Sequence, residues 1–364
     1  MVKAAVLLEH GRPLQVCEIV LPEPGPGQVR VRLAAAGVCH SDLSLAEGRL
    51  RQPVPAVLGH EGTGVVVSVG DGVCRVSVGD MVLLNWSPSC GRCWFCGQGE
   101  PYLCERGGEA ADEPYAALAD GTPLYPGLGT GAFAEETVVD ERAVVPLPAG
   151  VDPEQVAVVG CAVLTGAGAV FRTADVHAGQ SVAVIGLGGI GLSVVQAARI
   201  RGAHPIIGVD TSAAKEDLAR AHGVTEFLVA DDATAAAIRQ RTGGRGADHT
   251  FDCVGGAVTT RTAWSAARRG GHVTVVGVGG RDSTVEFSAL ELFWFGRTLH
   301  GCVYGSSDPD VDVPQLLTLA RDGRLDLAAL ATSTTDLSGI NDAFEDMRHG
   351  RGARTLVRLG SPQA

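Results

Sequence analysis

Up to residue 150 the apolar positions fall in short valine-rich runs. These are KAAVLL from residue 3, VRVRLAAAG from 29, GTGVVVSVG from 62, DMVLLNW from 80, AEETVVD from 134 and AVVPLP from 143. Glycine, proline and aspartate separate them, which predicts a β-rich region. LPEPGPG at 21–27 predicts a rigid surface connection. Beyond about residue 160 the pattern changes. VAVIG at 182–186 precedes a helical stretch to about Arg201, and PIIGVD at 205–210 precedes AAKEDLARAHG, a helix closed by Gly223. EFLVA, DATAAAIRQRTGG, DHTFDCVG, TRTAWSAARRGG and VTVVGVGG continue the alternation to residue 280. Strands alternating with helices of this length predict βαβ units and a parallel sheet. The last stretch is mixed, with helices at 314–323 and 340–350 and a closing strand RTLVRL. A βαβ domain therefore reads as an insertion in a β-rich one. Residues 178–198 carry no charge, but the glycines at 179, 186, 188, 189 and 191 favour a strand, a turn and a helix over a membrane span.

Length and composition narrow the classes. The 364 residues suffice for about two domains. With 45% hydrophobic residues the chain has material for real cores, and its 50 glycines follow no three-residue period. Disorder and collagen are thereby excluded. The net charge of -12, with no basic run, argues against nucleic acid or an anionic membrane as partner. The N-terminal MVKAAVLLEHG is too short and too soon charged for a secretory signal. A cytoplasmic location is expected, and there ten cysteines point to metal before disulfides.

Three constellations carry chemistry. Gly186, Gly188 and Gly191 form G-x-G-x-x-G after an expected strand and at the start of an expected helix. The first permits the tight turn, the second lets a pyrophosphate approach backbone N–H groups, and the third lets helix and strand pack. Asp210 ends the next strand, where a carboxylate binds ribose hydroxyls and repels a 2′-phosphate. NAD is the expected cofactor. Cys90, Cys93, Cys96 and Cys104 offer four thiolates within fifteen residues. Four protein ligands would close a tetrahedral Zn²⁺ and make it structural, though such a frame also serves iron–sulfur clusters and redox disulfides. Cys39, His60 and Cys161, each at the edge of an expected glycine turn, would leave a fourth zinc position open. No spacing rule links these three, and Cys161 alone reads equally as a small buried hydrophobe.

Together, GVCHSD at 37–42, GHEGTG at 59–64, CGRCWFCGQGEPYLC at 90–104, GC at 160–161 and GLGGIG followed by GVD resemble the zinc-dependent alcohol dehydrogenases of the medium-chain dehydrogenase/reductase superfamily. The resemblance covers nearly the whole chain. DGTPLYPGLGTGAFAEETVVDERAVVPLP at 120–148 is similar to the extra loop of the long, class III-like forms. It implies a Rossmann doubly wound parallel sheet at 162–303, inserted into a GroES-like catalytic domain at 1–161 and 304–364. A structural zinc lobe would occupy about 88–106. It further implies Cys39, His60 and Cys161 on a catalytic zinc, Asp42 orienting His60, Glu61 behind the metal and Ser41 as first proton relay. Cys90, Cys93, Cys96 and Cys104 would hold the second zinc. Asp210 and Lys215 would grip the adenosine ribose, His40 and Arg354 would face the pyrophosphate, and Thr165 and Ile190 would back the nicotinamide. Trp86 and Val278 would line the pocket. The implied activity is hydride transfer between an alcohol and NAD, in a homodimer acting on a small alcohol or aldehyde. The alternative is a mycothiol- or glutathione-type formaldehyde dehydrogenase.

Two positions depart from the pattern. Ser44 stands where animal alcohol-oxidising forms often carry a relay histidine. Gly108 stands where glutathione-dependent forms carry a carboxylate-binding arginine, with Arg106 two residues earlier.

Overall fold

The computed structural model describes residues 1–360. The chain divides into two compact units. The first holds 1–161, 308–314 and 331–364, the second 162–307 and 315–330. This division parts from the expected one at 304–307 and 315–330, which pack with the second unit.

The first unit is built on strands β1 (Val2–Leu7), β2 (Gln15–Val20), β3 (Gln28–Val38), β4 (Ala56–Val57), β5 (Glu61–Val69), β6 (Met81–Leu84), β7 (Ala116–Leu118), β8 (Pro123–Pro126), β9 (Glu136–Asp140) and β10 (Val144–Pro146). β1, β2, β7, β8 and β4 close a small barrel. The long β3 is the spine of a second sheet, pairing antiparallel with β5 and, through its first half, with β9. Alternation along β3 is clean only at its start. From Leu33 onward it is buried on both faces, which is why LAAAGV reads as a continuous apolar run. Leu7, Leu33, Leu45, Leu58, Leu84 and Phe133 belong to one core cluster of this unit.

The second unit carries β11 (Val182–Ile185), β12 (Ile206–Asp210), β13 (Glu226–Val229), β14 (Ala247–Asp252), β15 (Ala267–Val275) and β16 (Thr298–Gly301). They form one sheet in the order β13-β12-β11-β14-β15-β16, every pair parallel. Strand order reverses between β11 and β14, the switch point at which doubly wound sheets bind dinucleotides. The uncharged stretch at 178–198 resolves into β11, a glycine turn and the helix Gly189–Ile200. No single helix among the described residues is long and apolar enough to cross a membrane. The first unit is completed by β17 (Ala331–Thr335) and β18 (Arg354–Arg358), and β18 pairs with the end of β3.

Two elements of the later chain are bounded differently from the sequence reading. The helix expected from residue 314 begins at Pro309 and holds Pro314 inside it. The expected helical stretch ending ARRGG gives way at Ala267 to β15, because the helix ends at Ala266.

Candidate metal and cofactor site

The ends of β3 and β5 create the first cluster. β3 runs out at Val38, and Cys39 caps the short helix His40–Ala46. Sequence reading placed Cys39 on a glycine turn and missed this helix, which at seven residues is too short to show a period. Asp42, at its third position, is fully buried and makes three contacts. It accepts the backbone N–H of Cys39 at 3.2 Å and that of Gly59 at 3.0 Å, and it lies 3.0 Å from His60 Nδ1. In the neutral ring that last bond fixes the proton on Nδ1 and leaves Nε2 as the lone-pair nitrogen. Nε2 is buried and makes no hydrogen bond. An orphaned imidazole nitrogen costs stability unless something coordinates it.

Cys161 arrives from the short turn Val158–Gly160 that follows the helix Pro153–Ala157. The ligand atoms of Cys39, His60, Glu61 and Cys161 lie within 4.8 Å of one another, all buried. Glu61 fits because residue 37 is glycine: a Cβ there would stand 2.0 Å from its carboxylate. Arg354, only 4% exposed, reaches in from β18. It donates to the Val38 carbonyl at 2.8 Å and pairs with Glu61 at 3.1 Å. The arginine that the resemblance places facing the pyrophosphate is thus engaged with this cluster.

The crowding shows in the proton affinities. The Cys39 thiol is held well below its usual range, first by a hydrogen bond from Cys161, while that same bond and burial push Cys161 up. Burial pulls the His60 pKa down but is outweighed by Asp42 and Cys39, so it stands above the usual histidine range. Burial also lifts Glu61 to about 7 against the pull of Arg354. Two thiols, an oriented imidazole and a carboxylate around one point form a soft donor set suited to Zn²⁺. Ser41 Oγ lies 3.9 Å from Cys39 Sγ, and the Trp86 ring meets His60 edge-on at 6.3 Å between centroids. His40 is exposed at the start of the helix.

The second cluster is local. Cys90, Cys93, Cys96 and Cys104 also bring their sulfurs within 4.8 Å of one another, but all four are only half-buried. The one-turn helix Trp94–Gly97 folds the loop so that Cys93 and Cys96 sulfurs stand 3.5 Å apart. Backbone N–H groups of Cys90, Cys93 and Arg106 point at sulfur, at 3.2, 3.3 and 3.4 Å. Backbone bonds led by that of Arg92 lower Cys90 to about 6, whereas burial and then Cys93 raise Cys96 to about 12. Arg106 is already engaged: its Nε stands 2.9 and 2.8 Å from the two Glu109 carboxylate oxygens. Gly108 is exposed and offers no side chain to a carboxylate.

In the second unit Gly188 caps the helix Gly189–Ile200. Gly191 is obligatory, since a Cβ there would lie 1.9 Å from the Gly186 carbonyl oxygen. Asp210 ends β12 with a carboxylate that accepts from Leu187 N–H at 2.9 Å and Ser212 N–H at 3.0 Å, with Lys215 Nζ at 3.2 Å. The fingerprint turn and its acidic residue are therefore joined. Thr165 is buried in the helix Ala162–Gly168, Ile190 is half-buried, and Val278 is 63% exposed.

Residues 25–149 match the alcohol dehydrogenase GroES-like domain, and 189–322 match the zinc-binding dehydrogenase domain. The chain is 37% identical to the S-(hydroxymethyl)glutathione dehydrogenase of Photobacterium damsela subsp. piscicida, over 98% of this chain and 99% of the relative. It belongs to the zinc-dependent alcohol dehydrogenase family. A relative with the same name from Escherichia coli O139:H28 is 38% identical over 98% of this chain and 99% of its own. Among solved structures, an alcohol dehydrogenase zinc-binding domain protein from Burkholderia ambifaria superposes with a TM-score of 0.92 at 33% identity. The benzyl alcohol dehydrogenase of Acinetobacter calcoaceticus gives 0.91 at 29%. Each of these two covers 99% of both chains. The dehydrogenase is an NAD-dependent, zinc-binding oxidoreductase with a GroES-like unit and a parallel Rossmann-type sheet.

Proposed function

We propose that this dehydrogenase oxidises the hydroxymethyl adduct of a low-molecular-weight thiol carrier with formaldehyde, R–S–CH₂OH + NAD⁺ giving R–S–CHO + NADH + H⁺. The observation that carries this reading is the end-to-end match to S-(hydroxymethyl)glutathione dehydrogenases. Gly108, and an Arg106 already bound to Glu109, argue for a carrier other than glutathione itself.

In this reading Cys39, His60 and Cys161 hold a catalytic zinc, which when bound supplies Lewis acidity toward the alcohol oxygen, as NAD supplies the hydride acceptor. Asp42 keeps the Nδ1 proton of His60 in place. Ser41 takes the alcohol proton, and Ser44, one turn further on the same helix, is the next hydroxyl along that face. Glu61, neutralised by Arg354, backs the metal. Trp86 forms an apolar wall beside His60. Cys90, Cys93, Cys96 and Cys104 hold a structural zinc. Asp210 and Lys215 take the adenosine ribose, Thr165, Ile190 and Val278 the nicotinamide side, and His40 the pyrophosphate. With its guanidinium committed to Glu61 and Val38, Arg354 serves the pyrophosphate less directly than the resemblance implies. A homodimer is supported by the exposed edge strand β16 and by Leu290, Leu292, Phe293 and Trp294, all exposed on the helix Ala289–Phe295 and its turn.

A second reading is a plain alcohol dehydrogenase. The edge-on Trp86 and the similarity to a benzyl alcohol dehydrogenase favour an aromatic alcohol for it. NADH formation from formaldehyde, measured with no thiol, glutathione and mycothiol, and from benzyl alcohol, separates the two. Thiol-dependent turnover of formaldehyde supports the proposal. Turnover of benzyl alcohol with no response to formaldehyde under any thiol contradicts it.

A further inference from the structure

The second unit contains a buried carboxylate that the reading above does not use. Asp252 is the last residue of β14, beside the switch point, and is fully buried. One carboxylate oxygen accepts two backbone N–H groups, those of Val254 and Gly255, each at 3.0 Å. The other accepts the Thr260 hydroxyl at 2.6 Å, from the helix Ala257–Ala266. Its backbone carbonyl accepts a further pair, the N–H groups of Val276 at 2.8 Å and Gly277 at 2.9 Å, just after β15. One residue therefore fastens the turns that leave two neighbouring strands.

Those turns touch. A Cβ on Gly255, whose φ is +81°, would stand 2.3 Å from the Gly277 carbonyl oxygen, and one on Gly277 would stand 2.3 Å from Val254 C. Val254 in turn lies against the first fingerprint glycine, since a Cβ on Gly186 would meet its Cγ2 at 2.6 Å. The fastened turn is thus packed on the phosphate-binding turn, while the Val254 side chain remains half-exposed. In a parallel sheet the strand ends all face one way, so Gly186, Asp210, Val254 and Val276 share the ligand-binding edge. Asp210 lies on the β11–β12 side of the switch point. The turns held by Asp252 lie on the other side, with the second mononucleotide-binding half.

We propose that Asp252 is a positioning residue for the nicotinamide half of the coenzyme: through Val254 and Gly255 it sets the wall against which that half is held. It does not touch the coenzyme, and its effect comes through the turn. A misplacement of about an ångström in such a wall costs on the order of a hundredfold in rate.

The test compares two ligands of the intact protein. NADH spans both halves, whereas ADP-ribose lacks the nicotinamide ring. Asp252→Ala should weaken NADH binding, read by fluorescence titration, about tenfold or more, and leave ADP-ribose binding within about twofold. The KM for NAD⁺ should rise more than kcat falls. Asp252→Asn keeps an acceptor for both N–H groups and should return NADH affinity to near that of the parent. Should Asp252→Ala fail to fold, Thr260→Val removes only the hydroxyl bond at nearly constant volume and should weaken NADH about threefold with ADP-ribose unchanged. Equal losses for the two ligands, or unchanged NADH binding in a folded Asp252→Ala or Thr260→Val protein, would overturn the proposal.

Discussion

The two cysteine clusters of this dehydrogenase invite comparison because they offer similar atoms in opposite settings. The lobe cluster draws four sulfurs from fifteen consecutive residues and leaves them half-buried, supported by backbone N–H groups. The other draws Cys39, His60 and Cys161 from three segments spread over more than a hundred residues and buries them, with Glu61 and Arg354 behind. Four sulfurs saturate a tetrahedral ion; two sulfurs and one imidazole do not. In the proposed function the lobe is a fastener that a short loop can make alone, and the buried cluster is a reaction centre that only the folded β-unit can assemble.

The strongest way to break that contrast is to remove one ligand from each side. Cys161→Ser should lower the rate of NADH formation on the order of a thousandfold or more while the protein still melts cooperatively. A metal-replete Cys161→Ser protein with the parent rate would remove Cys161 from the centre. Cys104→Ser should act the other way, lowering Tm by several degrees through loss of a closed metal site, with the folded fraction turning over near the parent rate. Equal behaviour of the two variants would erase the distinction. A smaller effect is expected behind the ligand: Asp42→Asn should cost about 10–100-fold in metal affinity or activity, the usual range when the partner orienting a ligating histidine is lost. Metal retention and rate at parent level would mean that the Asp42–His60 bond has no such role.

The smallest effect concerns a control outside both clusters. His249 in β14 is also buried with an unbonded ring nitrogen, Nδ1, but no thiol surrounds it. It stacks on His272 at 5.1 Å, bonds Gln180 at 2.9 Å, and lies near Asp248, Arg268 and His177. Burial, then the charge of His272, lowers it to about 4, where His60 is raised. Its unfolded value is about 6.5, so between these values the unfolded chain binds the extra proton and stability falls as pH falls. From pH 7 to pH 5 this histidine should cost on the order of 1–2 kcal/mol. His249→Gln should flatten that part of the stability–pH curve without changing metal content. An unchanged slope would show that His249 does not titrate in this way.

The same comparison explains what was legible in the sequence. Cys90 to Cys104, the fingerprint Gly186–Gly188–Gly191 and Asp210 are local patterns visible in the spacing, and the fold draws the four sulfurs together and joins Asp210 to the fingerprint turn. The grouping of Cys39, His60 and Cys161 could not be read from spacing. It depends on the end of β3 lying beside the start of β5 and on a turn that returns a hundred residues later. Family resemblance supplied it. The pairing of Arg354 with Glu61 was hidden for the same reason, because it exists only once β18 pairs with the end of β3. The role proposed for Asp252 has no motif at all, since it rests on hydrogen bonds to turns whose positions are set by tertiary packing.

The central claim is that one chain holds two zinc ions, one closed off by four cysteines and one open to substrate. Zinc content per chain, measured for the parent protein beside Cys161→Ser and Cys104→Ser, tests it most directly. Two zinc ions in the parent and one in each variant, with NADH turnover lost only in Cys161→Ser, is the predicted result. One zinc ion in the parent, or two retained in Cys161→Ser, would contradict it.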